Sequence, residues 1–188
     1  MKMVLKEVRI HGRGGQGAVT SSQVLAIAAF FDKKQSQAFP YFGVERSGAP
    51  VEAYTRLSNE KIFVRQHVYN PDFVLVLDPS LIKAVDVTEG LKKNGLIIVN
   101  SNKNPKDLGL KGSFRLYCID ITKTALEIIG KPFVNIAALG SFAGLSGEVS
   151  LEALDRAIEQ RFESSPKVAE LNKKACARLF EEAKKMKK

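Results

Sequence analysis

Apolar positions along this chain follow two rhythms. Short alternating or unbroken apolar runs recur at Val4–Ile10, Val51–Leu57, Phe73–Leu77, Leu96–Val99 and Phe114–Ile119, and predict strands. Helical spacing recurs elsewhere. Val24, Ile27, Ala28 and Phe31 fall on one face of Ala18–Phe31, and Ile121–Ile129 forms a shorter helix. Leu151, Leu154, Ile158 and Phe162 make a stripe behind the capping residue Ser150. Val168, Leu171, Ala175, Leu179 and Ala183 make another after Ser165-Pro166, with Pro at the first helical position. In Phe73–Leu77 and Leu96–Val99 every position is apolar, as expected of strands covered on both faces. The mainly helical pattern of Pro79–Leu91 between them predicts a βαβ unit and parallel pairing. Gln35–Phe39 reads as a short extended piece. Val51–Leu57 and Lys61–Arg65, joined by Ser58-Asn59-Glu60, predict a hairpin and an antiparallel part of the sheet. Asn135–Ser146, with Gly140-x-x-x-Gly144, predicts a closely packed helix. Together these elements predict an α/β protein: one domain over 1–188, a three-layer α/β/α arrangement with a mixed, mostly parallel sheet, and C-terminal helices.

Two stretches break the rhythm and carry candidate chemistry. Gly12-Arg13-Gly14-Gly15-Gln16-Gly17 joins the first strand to the first helix. Glycines there permit positive φ and close backbone approach, and a helix N-terminus presents N–H groups to an anion. Arg13 adds a cationic donor and Gln16 one further hydrogen bond. The six residues form a candidate phosphate or carboxylate cradle. The spacing also fits G-x-G-x-x-G, but a dinucleotide reader calls for an acid at the end of the second strand. Asp32 has about that spacing yet closes the first helix before Lys33-Lys34, and the next extended piece ends at Phe39-Pro40 without an acid. No Gly-Lys-Ser/Thr follows, which excludes a Walker phosphate loop. A tight turn with no ligand is the plain alternative. The second stretch, Pro40–Pro50, has two prolines and two glycines that forbid regular structure, yet carries Tyr41, Phe42, Glu45 and Arg46, a candidate subunit-contact loop. His11, Asp78, Asn100 and Asp120 fall at predicted strand carboxyl ends, where they either meet a ligand or cap the following helix.

Composition narrows the classes. The net charge of +9 is partly local: Lys167–Lys188 holds eight Lys or Arg against three Glu, so the last helix, about 166–187, is basic. It has no interleaved aromatics, and the chain has no helix-turn-helix or zinc-finger spacing, which argues against nucleic-acid binding. No apolar run is long enough to span a bilayer and no signal peptide is evident, so a cytoplasmic, reduced protein is expected. Two cysteines, Cys118 and Cys176, stand far apart and the histidines are His11 and His67. No metal site follows from that set. Cys118, in an apolar run, is expected to be buried and inert.

With the glycine turn, the run Gln37-Ala38-Phe39-Pro40-Tyr41-Phe42-Gly43-Val44-Glu45-Arg46-Ser47-Gly48-Ala49-Pro50 makes the chain resemble the gamma subunit of 2-oxoacid:ferredoxin oxidoreductases. The Ser-Gly-Ala-Pro ending is more similar to the pyruvate (pyruvate synthase) branch than to the 2-oxoglutarate branch. The likeness runs from Val8 to about Phe162. It implies an assembly with alpha, beta and delta-type subunits that oxidises pyruvate with coenzyme A to acetyl-CoA and carbon dioxide, reversibly, passing electrons to ferredoxin. It implies thiamine diphosphate, Mg2+ and iron–sulfur (4Fe-4S) clusters on the partners, with no catalytic residue and no metal on this chain. No Gly-Asp-Gly followed by Asn-Asn, as a thiamine diphosphate site requires, is present. On this reading Gly12, Arg13, Gly14, Gly15, Gln16 and Gly17 face coenzyme A or a cofactor, and Tyr41, Phe42, Glu45 and Arg46 face a partner subunit. The open alternatives are a gamma subunit for a branched-chain 2-oxoacid or 2-oxoglutarate, and a freestanding dinucleotide-binding Rossmann-type protein.

Overall fold

The computed structural model describes residues 4–41 and 48–187. Its sheet is built from β1 (Leu5–Arg13), β2 (Gln35–Tyr41), β3 (Pro50–Ser58), β4 (Phe73–Val76), β5 (Gly95–Asn100) and β6 (Phe114–Ile119). The spatial order is β2-β3-β1-β4-β5-β6. β1, β4, β5 and β6 pair in parallel, whereas β3 runs antiparallel to both β1 and β2. β3 is therefore the one reversed strand, filling the gap between two strands of like direction. Pro40 lies inside β2 without breaking a ladder, because β2 is an edge strand with one side unpaired.

The helices are α1 (Ala18–Phe31), α2 (Ile121–Ile129), α3 (Val134–Ser146), α4 (Leu151–Arg161) and α5 (Pro166–Met186). Residues of all five join Val8, Ile10, Ala53, Leu75, Leu96 and Ile98 in one core. The alternate strand residues Val74, Val76, Ile97 and Val99 point the other way, onto Leu81 and Val87. That two-sided burial is why the central strands are apolar at every position.

The cover of this second face differs from expectation. Pro79–Leu91 forms only a 3-10 turn over Pro79–Lys83, followed by non-helical turns. Asp78 accepts hydrogen bonds from Ser80 N and Oγ, and Asp86 from Thr88 N and Oγ1. Such local side-chain bonds compete with helix propagation. The parallel pairing of β4 and β5 stands without an α-helix between them. A second 3-10 turn, Pro105–Leu108, continues this layer.

The expected hairpin is also rearranged. Lys61–Arg65 is not a strand, and β3 pairs instead with the earlier β2. The segment lies where Arg56 can reach it. This guanidinium, 1 % exposed, donates to the carbonyls of Val64, Gln66 and His67 and to Glu7. Arg9, also buried, donates to Val87 O and Glu89 O. Irregular backbone buried against a sheet needs donors for its carbonyls, and two arginines supply them.

α3 is apolar around nearly its whole circumference and is buried on nearly every side. Its glycines let α5 approach at backbone distance. A methyl at Gly140 would overlap the Cys176 carbonyl, and one at Gly144 would press on that of Phe180. Cys176 is fully buried in this contact, whereas Cys118 is half-buried on the second face rather than sealed. Burial, and Asp107 nearby, push the Cys118 thiol pKa up, away from reactive thiolate. No helix among the described residues is long and apolar enough to cross a membrane.

Gly140→Ala gains about 1 kcal/mol of helix propensity. Overpacking costs about 1–3 kcal/mol. The variant is expected to unfold at lower urea than the parent, and unchanged or higher stability would refute the close α3–α5 contact.

Candidate functional site

The glycine turn sits between β1 and β4, where the chain leaves in opposite directions along the sheet. In open α/β sheets a crevice forms there, outside the strand carboxyl ends. β1 extends through Gly12 and Arg13, which pair with Val51 and Pro50 of β3. The turn proper begins at Gly14, whose N–H donates to Ala49 O at 2.9 Å while its own carbonyl accepts from Gly48 N at 3.3 Å. Gly15 has φ +93° and open space around it. Gly17 has φ +80° and precedes α1; a side chain there would strike Asn135.

Arg13 and Gln16 turn inward to hold this shape. Arg13 Nε donates to Asp78 Oδ2 at 3.1 Å, Nη1 to Gly48 O at 2.9 Å and Nη2 to Ser80 Oγ at 2.7 Å. Gln16 Oε1 accepts from Arg13 N at 2.7 Å, and its Nε2 donates to Asp78 Oδ2 at 3.0 Å. Partial burial works to raise the Asp78 pKa, but hydrogen bonds from Ser80 and Gln16 and the charge of Arg13 outweigh it and hold the carboxyl below its usual range. Arg13 therefore ties the turn to the end of β4 and to Gly48, where the Pro40–Pro50 stretch returns to the sheet.

The free donors are on the backbone. No side chain caps α1, so its first N–H groups are left to the crevice. α3 likewise starts without a side-chain cap, at Phe133. Ser21 Oγ donates to Asn135 O at 2.9 Å and draws the two helix starts together. Gly15, Gly17 and Thr20 from one start and Phe133 and Asn135 from the other line a cleft of about 750 Å³. Two uncapped positive helix ends on one cleft suit an anionic group. Asn135 escaped the sequence reading. The signal was weak, since Lys131-Pro132-Phe133 before the helix lacks the usual capping residue.

The polar residues at the strand ends divide. Asn100 lines the cleft and fastens it: its Nδ2 donates to Leu77 O and Thr122 Oγ1, and its Oδ1 accepts from Thr122 N. Asp78 and Asp120 cap the segments that follow them. His11 is not at this edge, because β1 continues past it. It lies 2 % exposed on the second face, 3.6 Å from Glu52, and burial together with Arg9 lowers its pKa to about 3. Tyr41 ends β2 at 44 % exposed, edge-on to the His67 ring. Phe42, Glu45 and Arg46 lie outside the described residues.

The dinucleotide-binding alternative loses ground. A Rossmann site places the second strand beside the first, with its acid near the glycine turn. Here antiparallel β3 occupies that place and β2 lies beyond it. An iron–sulfur cluster needs four thiolates, and the chain has two cysteines, one fully buried. The donor set does not fit such a cluster. Among the described residues no group of three or more His, Cys, Asp or Glu is placed to hold a metal.

The chain as a whole is similar to known proteins. The family described as pyruvate ferredoxin/flavodoxin oxidoreductase matches residues 7–182. Pyruvate synthase subunit PorC of Methanosarcina barkeri is 53 % identical over 154 residues, 82 % of this chain and 85 % of that one. The subunit gamma common to the pyruvate and ketoisovalerate oxidoreductases of Pyrococcus furiosus is 48 % identical over 178 residues, 93 % of this chain and 95 % of that one. The crystal structure of pyruvate oxidoreductase subunit PORC from Thermotoga maritima aligns with a TM-score of 0.82 at 37 % identity, covering 94 % of this chain and 96 % of that one.

Arg13→Ala leaves the half-buried Asp78 carboxylate without its charged partner and is expected to cost about 1–3 kcal/mol. Arg13→Lys should recover little, because one ammonium cannot reach three acceptors set for a planar fork. Urea unfolding of both variants checks this; full rescue by Lys would refute the three-way tie. For His11 the folded pKa lies below the unfolded value near 6.5, so its contribution is complete above that pH and drains away as pH falls toward 3. Between pH 7 and 5 this amounts to about 2 kcal/mol. A His11→Gln variant should show a correspondingly flatter loss of urea midpoint over that interval.

Proposed function

The chain belongs to the pyruvate ferredoxin/flavodoxin oxidoreductase family, and from that membership and the site we propose that it is the gamma-type subunit of a pyruvate:ferredoxin oxidoreductase. The assembled enzyme converts pyruvate, coenzyme A and oxidised ferredoxin to acetyl-CoA, carbon dioxide and reduced ferredoxin, and runs in either direction. Partner subunits of alpha, beta and delta type carry thiamine diphosphate, Mg2+ and the iron–sulfur clusters, and the complex works in the cytoplasm. This chain supplies no reacting group. It supplies a shaped surface facing coenzyme A.

The observation that carries this reading is the meeting of two uncapped helix starts behind a glycine turn. Phosphate oxygens accept from backbone N–H groups, and residues without a Cβ let them come close. The roles within Gly12–Gly17 then divide. Gly15 and Gly17 open the surface, while Arg13 and Gln16 hold the turn to Asp78. Tyr41, Phe42, Glu45 and Arg46 face a partner subunit. Gly48 and Ala49, which end that stretch, are hydrogen-bonded to the glycine turn, so a partner engaging it presses on the coenzyme A surface directly.

A second substrate has specific support. The Pyrococcus furiosus relative is by its name common to pyruvate and ketoisovalerate oxidoreductases. A surface that meets coenzyme A rather than the 2-oxoacid serves both, which leaves the choice of acid to the partners.

The test is an anaerobically purified complex carrying Gly15→Asp, with Gly15→Asn as its uncharged counterpart, assayed for pyruvate- and coenzyme A-dependent ferredoxin reduction. A carboxylate on the cradle repels phosphate, so the Asp variant should raise the KM for coenzyme A about tenfold or more over the Asn variant. The KM for pyruvate and the subunit content should hold. An unchanged KM for coenzyme A would refute the coenzyme A surface, and a complex that only loses subunits would reassign the turn to docking.

A further inference from the structure

The irregular side of the sheet carries a small aromatic box, remote in its lining from the glycine turn. Strand register assembles its base. Arg9 of β1 pairs with Tyr54 of β3, and Tyr41 of β2 pairs with Glu52 of β3. Residues two apart on a strand share a face, so these four project from the same side of the sheet. His67, Val68 and Tyr69 of the irregular chain, together with Glu89, complete the lining. The box encloses about 270 Å³ and has no residue in common with the glycine-turn cleft. Aromatic rings make its walls. Tyr41 and His67 have centroids 4.8 Å apart at 81°, His67 and Tyr69 6.3 Å apart at 84°, and Tyr41 and Tyr54 6.3 Å apart at 47°. Glu52 and Glu89 outnumber Arg9, the one arginine or lysine of the lining. Glu52 lies 3.6 Å from His11, but that imidazole is buried and neutral and leaves the carboxylate charge uncancelled. Arg9 is engaged by the carbonyls of Val87 and Glu89, and its buried Nε has no acceptor among the described residues. The rim is open: Tyr69 is 65 % exposed, and Phe63, earlier in the same irregular segment, 82 %.

We propose that this box receives an arginine side chain of a partner subunit. The proposal rests on the reading of Tyr41 as subunit-facing and extends it from a stretch of chain to a socket with a defined occupant. Rings attract a cation over their faces, and two carboxylates beside them select positive charge. A planar guanidinium both stacks on rings and forks onto a carboxylate, which an ammonium does not. The volume falls below the range of about 300–1,000 Å³ usual for small-molecule sites, and it suits one long side chain. The chain itself uses the same contact nearby, with the Arg56 guanidinium 4.9 Å from the centre of the Phe39 ring. Exposed aromatics around a pocket that takes one anchoring arginine are the usual composition of an interface centre. Tyr41 belongs at once to the box and to the Pro40–Pro50 stretch, so one partner surface covers both.

The test is photo-cross-linking in the anaerobically purified complex, with p-benzoylphenylalanine replacing Tyr69 in one preparation and Tyr41 in another. Both positions are exposed, so the fold tolerates the exchange. The cross-link from position 69 should map to a partner-subunit peptide that contains an arginine. Glu89→Lys should then weaken retention of this chain in the complex about tenfold, and reversing the mapped arginine to glutamate in the same complex should restore it. A position-69 cross-link to a peptide without arginine, or to a second copy of this chain, overturns the proposal, as does retention indifferent to Glu89→Lys. A partner cross-link from position 41 with none from position 69 also overturns it, while the subunit-facing reading of Tyr41 survives. No partner cross-link from either position removes both.

Discussion

One guanidinium sets the geometry on which the rest depends. Arg13 lies where β1 stops being a strand, and its three contacts fix that point to the end of β4 and the approach to β3. Asp78 receives Arg13 and Gln16 on the same oxygen while its other oxygen starts the Pro79–Lys83 turn. A charge-assisted pair in a half-buried setting keeps its strength far better than one in open water. The glycines around it are free to take unusual φ values because this frame leaves them few alternatives. Flexibility of residue type and rigidity of position meet in the same six residues.

The two faces of the sheet are built by different means. The helical face is dry, and Val8, Ile10, Leu75 and Ile98 pack there against five helices. The other face mixes a small apolar cluster under the 3-10 turns with a polar region, where Arg9, Arg56 and His11 lie buried beside irregular chain. Hydrophobic burial holds the first layer, and hydrogen bonds from charged donors to backbone carbonyls hold much of the second. Acid weakens the second layer, since burial and Arg9 disfavour protonation of His11 there.

Much of this was legible in the residues. Period and punctuation located β1, β4, β5, β6 and all five helices, and the cap at Ser150 and the first-turn proline Pro166 fall where the pattern put them. The glycine turn and the Pro40–Pro50 stretch stood out as irregular, but nothing local told that Gly14 and Ala49 would be hydrogen-bonded neighbours. The failures share a cause. Lys61–Arg65 alternates like a strand, yet Gln37 takes the carbonyl of Ile62, and Arg56 takes that of Val64 and those of Gln66 and His67 just beyond, contacts that alternation does not register. Pro79–Leu91 has helical spacing, but Asp78 diverts the backbone at its start and Asp86 in its middle. Arg13 was legible as a cation and not as a cross-link, because its acceptors come from remote parts of the chain.

The bare contact between α3 and α5 makes one helix the closure of the whole core. α3 lies in the core against the sheet, and the strip exposed by Gly140 and Gly144 is closed by Cys176, Phe180 and Ala183 of α5. Any state in which α5 is undocked leaves the innermost helix with one apolar flank and a strip of bare backbone in water. Docking of α5 thus completes the core, and a chain caught before it is open to association with other chains.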